Sequence, residues 1–241
     1  MEIEPIGVIS SCYKEKFGIP RQPALVPLGK ASLIMAEGYQ QQEMLDGLAE
    51  FSHIWLIFGF HATLEQGWKA SVRPPRLGGN KRVGVFASRS MYRPNGLGLS
   101  VCKLDSISTR GDKVALQLSG VDMLDATPVY DIKPYLPYAD CLPGAVGGYA
   151  DKKPAIQYEV IFSALAKQQC LEKQQELGVD VMALIQQILQ QDPRPAFHAG
   201  RYQKREYGMR LYDMNVRWCY LLSGEEKIRE NKELVKVISL C

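Results

Sequence analysis

Basic side chains and turn-forming residues alternate between Glu65 and Asp105, and together they suggest an anion-binding surface. This stretch contains eight basic residues and no acidic one: Lys69, Arg73, Arg76, Lys81, Arg82, Arg89, Arg93 and Lys103. Proline fixes φ and glycine lets a backbone approach a ligand closely, so residues 73–79 (RPPRLGG) and 93–98 (RPNGLG) favour shaped loops. An arginine held in such a loop can bind phosphate or carboxylate through two parallel hydrogen bonds. The alternative is a solvated basic face with structural turns.

Carboxylates follow in a second cluster, at Asp122, Asp125, Asp131 and Asp140. In a concave site they could accept hydrogen bonds from a ribose diol or an amino group, or orient a substrate N–H. Capping of turns is the competing interpretation, and residues 20–23 (PRQP) form a third candidate loop that a strand connector would explain equally well. His53 and His61 lie on an apolar segment, where a lone histidine is more often a core residue than a base.

Composition and missing motifs narrow the class of protein. The 241 residues are 46% hydrophobic and 23% charged, and the net charge of +3 is too small to indicate nucleic-acid binding by itself. The sequence has no span of about 18 apolar residues and no signal-peptide pattern, so we expect a cytoplasmic protein. The six cysteines form no CxxC pair and do not cluster with histidines, so we expect neither a metal site nor disulfides. The GxGxxG, GxxxxGK[ST], HExxH and GxSxG motifs are absent.

The elements that must position these residues are mostly short strands. Strands are predicted at residues 3–9, 31–36, 53–60, 83–87, 97–107, 114–118 and 129–132, with one helix at 40–48. Because no helix follows each strand, the pattern favours a mainly β fold, a closed antiparallel β-barrel, over a doubly wound parallel sheet. The run 53–60 is apolar on both faces, which is typical of a central or interface strand.

A glycine-rich segment at 144–154 is a plausible linker, and the pattern changes after it. Helices are predicted at 162–176 and 179–191, interrupted at Gly178 and ended by Asp192-Pro193, and strands at 206–212, 216–222 and 234–240. We therefore predict a barrel domain at 1–150 and a smaller α+β domain at 151–241.

At these residues the sequence resembles the TsaA-like, or TrmO, family of tRNA methyltransferases. The similar segments follow the family's order over nearly all of residues 1–150: 20–22 (PRQ), 51–55 (FSHIW), 60–61 (FH), 72–79 (VRPPRLGG), 84–89 (GVFASR), 93–95 (RPN), 98–100 (GLS), 122–125 (DMLD), 127–128 (TP) and 131–135 (DIKPY). Residues 192–195 (DPRP) and 215–218 (NVRW) are similar to the family's longer, bacterial-type members.

The resemblance implies an antiparallel barrel that binds S-adenosylmethionine, forms a homodimer and methylates N6 of N6-threonylcarbamoyladenosine at position 37 of threonine tRNA. The implied cofactor contacts are Pro20, Arg21, Gln22, His61, Ala62, Arg89, Leu99, Asp122, Met123, Leu124 and Asp125. Two positions depart from the family pattern, Gly96 in place of a proline and Ala62 in place of a glutamine. The second removes a side-chain amide, which puts the cofactor contact at Ala62 in doubt.

The acceptor nitrogen is urea-like and a poor nucleophile, so we hypothesise that Asp131 or a backbone carbonyl accepts its proton. Arg93 or Arg73 is expected to bind the substrate's threonine carboxylate, with Asn95, Lys133 and Tyr135 as further substrate contacts. A C-terminal strip is expected to contact the anticodon loop through cations and rings, namely Arg194, Arg201, Arg205 and Tyr207. An exposed sheet edge would explain the same strip.

Two other functions fit the same residues. One is a non-catalytic module that binds S-adenosylmethionine or RNA, and the other is a methyltransferase of the same fold that acts on a different modified base or a small molecule.

Overall fold

The N-terminal part of the chain is built from strands joined by long loops and short turns. A computed structural model describes residues 2–111, 113–156, 158–194, 205–221 and 233–241. Its first eight strands are β1 (Gly7–Ser11), β2 (Lys30–Met35), β3 (His53–Gly59), β4 (Ser71–Val72), β5 (Val83–Gly84), β6 (Leu97–Arg110), β7 (Lys113–Ser119) and β8 (Pro128–Pro134). The short helix α1 (Pro137–Asp140) follows them.

Six of these strands form a closed barrel in the order β1-β2-β7-β6-β3-β8, and every pairing is antiparallel. The barrel predicted from the strand pattern is therefore confirmed. Side chains alternate between its two faces, as the pleat requires. In β3 the side chains of Ile54, Leu56 and Phe58 are buried in the barrel, whereas Trp55 and Ile57 lie on the outer face and are half-buried.

The strand order places three long loops at the same end of the barrel. Strands β1, β3 and β7 end there, and β2, β6 and β8 begin there, as the pairs Lys30↔Ser119, Gly59↔Leu97 and Val8↔Pro128 show. The loops 12–29, 60–96 and 120–127 therefore leave the barrel together. We call this end the barrel mouth.

The helix predicted at 40–48 is wrong. Two 3₁₀ turns, Gln42–Met44 and Leu48–Glu50, occupy this region instead. Gly47 between them has φ of 79°, a left-handed conformation that ends a helix. The strand predicted at 83–87 is also shorter, because a 3₁₀ turn at Val85–Ala87 follows β5.

The C-terminal part is an α+β unit. Its elements are β9 (Tyr158–Phe162), α2 (Ala164–Leu177), α3 (Val181–Leu189), β10 (Glu206–Leu211), β11 (Met214–Tyr220) and β12 (Glu233–Leu240). The sheet order is β10-β11-β12-β9, and β9 runs parallel to β12. Gly178 ends α2 with φ of 67°, and Asp180 caps α3 by accepting from the Ala183 N–H at 2.9 Å. Within the described residues, no helix is long and apolar enough to cross a membrane.

The second sheet packs against the loop 12–29 at the barrel mouth. The Tyr212 N–H donates to the Cys12 carbonyl at 2.7 Å, and the Phe17 ring stacks on Trp218 with centroids 5.7 Å apart. The Leu28 N–H donates to the Gln187 side chain at 3.1 Å. The C-terminal unit thus supports one of the three loops that define the mouth.

Candidate functional site

The loops 12–29 and 60–96 meet through Gln22 and Arg89. An Nη1 hydrogen of Arg89 is donated to Gln22 Oε1 at 2.6 Å, although the two residues are 67 positions apart in the chain. Pro20, two residues before Gln22, is buried. Two of the predicted cofactor contacts, Gln22 and Arg89, are therefore neighbours in the structure.

Asp122, in the third loop, lies against the inner face of β6. The Ser100 hydroxyl donates to Asp122 Oδ1 at 2.5 Å, and Ser100 is buried. Burial raises the pKa of Asp122 to about 6, while the Ser100 hydrogen bond and the charge of Arg89 oppose that increase. Ser100 is not among the residues predicted as the site. Its signal is a hydroxyl at an inward position of β6, where Cys102 and Leu104 follow on the same face.

Asp125 and His61 form the other side of the mouth. Asp125 accepts from the Ser11 N–H at 2.8 Å and pairs with Lys14 Nζ at 2.9 Å. The Thr127 hydroxyl lies 3.5 Å from His61 Nδ1. Burial lowers the pKa of His61, so its imidazole is neutral at pH 7 and can donate through one nitrogen and accept through the other.

The remaining residues of these segments hold the loops in place. Met123 is buried in the core and Leu124 is half-buried. The Ala62 carbonyl accepts from Lys16 Nζ at 2.7 Å, so this position contributes through its backbone.

Arg21 connects the mouth to the C-terminal unit. Its Nη2 lies 3.3 Å from the Asp192 carbonyl oxygen and 3.2 Å from that of Arg194, and it donates to both. Burial lowers the pKa of Arg21. The segment around Asp192 thus fixes one edge of the 20–22 loop.

Arg194 is buried, contrary to the prediction that it contacts RNA phosphates. Its side chain is 1% exposed and forms a bidentate pair with Asp192, with Nε–Oδ1 and Nη2–Oδ2 distances of 2.8 and 2.9 Å. Its Nη2 donates to the Tyr158 hydroxyl at 2.6 Å, and its Cζ lies 3.5 Å from the centroid of the Tyr220 ring. All directions from the guanidinium are occupied by protein, so no donor faces solvent.

The structure describes Arg205 and Tyr207, two of the other three residues predicted for the C-terminal strip. Arg205 Cζ lies 5.6 Å from the centroid of the Tyr207 ring. That ring is half-buried and stacks on Trp218, with centroids 5.8 Å apart. Arg201 lies outside the described residues.

Leu99 and Asp131 lie on the outer face of the barrel, where both pair in register with Ile57. Asp131 Oδ2 pairs with Lys133 Nζ at 3.1 Å, and both side chains are exposed. The Tyr135 ring is 5.9 Å from that of Trp55. No contact among the described residues joins Asp131 to Asp122 or Arg89, so its predicted role as a base stays a prediction.

The backbone conformation of the turn at 93–96 explains why Gly96 stands where the family pattern has proline. Asn95 and Gly96 have φ of 66° and 60°. Proline cannot adopt a positive φ, so the backbone found here requires a residue other than proline at position 96. Arg93 donates to the Ser88 carbonyl at 3.5 Å, and Arg73 is exposed.

The mouth brings together polar side chains of different charge. Asp122 and Asp125 supply acceptors, Arg89 supplies donors and His61 supplies a neutral imidazole. Among the described residues, no group of three or more His, Cys, Asp or Glu side chains lies close enough to hold a metal ion. The fold and the site define a class, namely closed antiparallel β-barrels in which three loops bring a polar cluster together at one end.

Two protein-family models match this chain, one over each part of it. The model of the tRNA-methyltransferase O N-terminal domain matches residues 8–141, and that of the TrmO C-terminal domain matches residues 155–232. The chain belongs to the tRNA-methyltransferase O (TrmO) family, which confirms the resemblance found in the sequence.

Similar proteins extend over nearly the whole chain. An Escherichia coli tRNA (adenine(37)-N6)-methyltransferase is 46% identical over 225 residues, which cover 93% of this chain and 95% of the relative. A Pseudomonas aeruginosa relative, named as a candidate S-adenosylmethionine-dependent methyltransferase, is 48% identical over 218 residues, or 90% of this chain and 92% of that protein. A crystal structure of TrmO from Pseudomonas aeruginosa is 39% identical and covers 100% of this chain and 98% of its own, with a TM-score of 0.76.

Proposed function

We propose that this protein is an S-adenosylmethionine-dependent methyltransferase that modifies N6 of adenosine 37 in tRNA. The observation that supports this best is the polar cluster of Gln22, Arg89, Asp122 and Ser100 at the barrel mouth. The names of the Escherichia coli and Pseudomonas aeruginosa relatives indicate the same reaction and the same methyl donor.

The chemistry of this cluster fits the proposed cofactor. When bound, S-adenosylmethionine supplies a methyl group on a positively charged sulfonium, together with an amino group, a carboxylate and a ribose diol. Asp122 would accept hydrogen bonds from a donor of the cofactor, and Ser100 holds this carboxylate in place. Arg89 has guanidinium hydrogens beyond the one donated to Gln22 and would bind a carboxylate.

The proposed acceptor is N6-threonylcarbamoyladenosine, whose nitrogen is a weak nucleophile. Holding the donor carbon and this nitrogen in line can supply much of the rate enhancement. Asp131, or a backbone carbonyl, is the proposed proton acceptor. If Asp131→Asn keeps near-native turnover with cofactor binding intact, Asp131 does not have this role.

Arg93 or Arg73 is proposed to bind the threonine carboxylate of the acceptor. Lysine keeps the charge but loses the planar pair of donors, so Arg→Lys at the correct position should lower turnover strongly. The effect should disappear with unmodified adenosine as the acceptor, because that substrate has no threonine carboxylate. Equal loss on both acceptors would assign the arginine to the phosphate backbone.

We also propose that the substrate is threonine tRNA and that the protein is a homodimer located in the cytoplasm. The homodimer is supported by the outer barrel face, where Trp55 and Ile57 are half-buried and Leu99 is 55% exposed. Light scattering of the full chain measures this directly. A Leu99→Lys variant should be monomeric if that face is the interface.

Nucleoside mass spectrometry tests the reaction itself. In tRNA from cells that lack this protein, the methyl group on threonylcarbamoyladenosine should be missing, and it should return with the wild-type chain. Purified protein with labelled methyl donor and tRNA should give methyl incorporation. Binding of both ligands without incorporation would indicate a non-catalytic module, and an intact methylated nucleoside in the cells would indicate a different acceptor.

A further inference from the structure

Two aromatic side chains project into solvent from the most basic part of the molecule. Phe86 is 79% exposed and Trp68 is 63% exposed. Single exposed apolar residues are common on soluble proteins and need no special cause. These two differ because their backbones are held firmly and they lie in a stretch of the chain that carries seven basic residues from Lys69 to Arg93.

The turn that presents Phe86 is anchored on both sides. Val85 is buried, and its N–H donates to the Ala70 carbonyl at 3.0 Å. The Ser88 hydroxyl donates to the Val85 carbonyl at 2.8 Å, and the Tyr149 hydroxyl donates to the Ala87 carbonyl at 3.0 Å. A ring held in this way loses little backbone freedom when a partner binds it.

Strand pairing brings Trp68 to the same end of the β4–β5 hairpin. Ser71 is in register with Gly84, and the Val85–Ala70 hydrogen bond continues the ladder by one step. Residues 68 and 69 therefore lie near the turn that contains Phe86. The Lys69 N–H donates to the Tyr92 carbonyl at 3.0 Å, which holds this segment against the 90–93 loop.

The cations around the two rings lack acidic partners. Lys69 Nζ lies 4.0 Å from the centroid of the Tyr92 ring, and Arg82 donates to the Ser71 hydroxyl at 2.8 Å. Within the described part of the chain, no ion pair includes any of the basic residues from Lys69 to Arg93. Their positive field is thus available to a polyanion.

This surface adjoins the barrel mouth. Arg89, which contacts Gln22, follows Phe86 by three residues, so their Cα atoms are at most about 11 Å apart. A few nucleotides of an extended strand cover that distance. A base bound in the mouth and a nearby base on Phe86 can therefore belong to the same RNA strand.

We propose that Phe86 and Trp68 are stacking platforms for unpaired nucleobases that flank the methylated adenosine, and that the surrounding cations bind the phosphates. Exposed aromatic rings beside cations favour single-stranded RNA because every base has a π face that can stack. The inference rests on the proposed function. It moves the main RNA contact from the C-terminal strip, where Arg194 is buried, to the β4–β5 hairpin.

Fluorescence anisotropy with a labelled anticodon stem-loop tests the proposal on the full-length protein. Phe86→Leu and Trp68→Leu should each weaken binding by about 5- to 100-fold, the range expected for loss of one stacked base. Phe86→Tyr and Trp68→Phe should retain binding, because the replacement ring still stacks. Ile34→Ala removes an exposed apolar side chain from β2, on the opposite side of the barrel, and should bind like wild type.

Salt dependence separates stacking from charge. The two leucine variants should lose affinity by a similar factor at all salt concentrations. Arg82→Gln should instead reduce the slope of log Kd against log salt by about 0.7, as expected for one lost phosphate contact with a single strand. A smaller slope in Phe86→Leu would overturn the stacking assignment.

Two further measurements distinguish base stacking from misfolding and from a protein–protein interface. Thermal melts of the leucine variants should match wild type, because both side chains are exposed. Light scattering should show the wild-type oligomeric state; loss of a dimer in either variant would identify a second copy as the occupant and overturn the proposal. Methyl transfer is measured in a separate assay. Tight stem-loop binding by the wild-type protein without methyl transfer would refute the proposed function but not the stacking platforms. Methyl transfer by the wild-type protein, together with unchanged RNA affinity in both leucine variants, would refute the stacking platforms but not the proposed function.

Discussion

Arg194→Met should destabilise the protein far more than removal of an exposed arginine from β11. The variant leaves the Asp192 carboxylate, whose side chain is 17% exposed, without its cation. Breaking a buried pair in this way costs about 3–5 kcal/mol. The Tyr220 and Tyr158 hydroxyls still donate to Asp192, at 2.9 and 3.2 Å, so we expect the lower end of that range.

For a chain of this size, a loss of about 3 kcal/mol lowers Tm by roughly 6–12 °C. The matched control is Arg217→Met, which removes an arginine from an ion pair with Glu206. Those side chains are 47% and 50% exposed, so the expected cost is about 0–1 kcal/mol. Differential scanning calorimetry at pH 7 measures both variants. Equal Tm values for the two variants would refute the role of the buried pair.

The pH dependence has a definite sign. Burial by itself would raise the pKa of Asp192, but the hydrogen bonds and charge of Arg194 lower it below its ordinary value. The stabilisation is therefore complete above the unfolded pKa of about 3.9 and is lost as pH falls through the folded pKa. The Tm difference between wild type and Arg194→Met should be full at pH 7 and should shrink below about pH 4.

Cofactor affinity gives a second measurement on the same variant. Arg21 donates to the carbonyls of Asp192 and Arg194, so movement of that segment should loosen the 20–22 loop. Asp192 also has φ of 46°, which a residue other than glycine rarely adopts without support. Isothermal titration with S-adenosylmethionine should show weaker binding in Arg194→Met and partial recovery in Arg194→Lys. Unchanged affinity in Arg194→Met would mean that the loop does not depend on this contact.

Three smaller predictions concern the barrel mouth and its wall. The affinity of the wild-type protein for S-adenosylmethionine should fall as pH drops through about 6, because Asp122 gains a proton there. In titrations from pH 5 to 8, Asp122→Asn should bind the cofactor weakly and with little pH dependence. The pKa of His61 in the folded protein should lie below its ordinary value of about 6.5, and NMR spectra assigned with His61→Gln measure it. The protein should therefore lose stability as pH falls from about 6.5 through the folded pKa. Gly98→Ala should cost about 1–3 kcal/mol, because the new Cβ would lie 2.3 Å from Phe58 Cζ. Gly84→Ala meets no atom within 4 Å and should melt within a few degrees of wild type.

Much of the fold follows from local sequence pattern. Short runs rich in apolar residues, bounded by turn formers, predict β2, β3 and β7 to within about one residue. Helix α3 is predicted to within two residues at each end, because Val181, Leu184 and Ile188 recur at helical spacing. The pattern fails at 40–48, where Gly47 adopts a left-handed conformation. It also does not predict β9, a short strand that follows the glycine-rich segment.

The sequence by itself determined the family and the barrel and predicted the segments of the site, because motifs and periodicity are local properties. Only the tertiary structure decided which of those segments meet. Antiparallel strand order sends the loops with Gln22, Arg89 and Asp122 to one mouth, whereas it puts Asp131 on the outer wall. Charge in the sequence also says nothing about exposure. Arg194 is buried because Asp192, Tyr158 and Tyr220 come together from separate elements to surround it, and those contacts exist only in the folded protein.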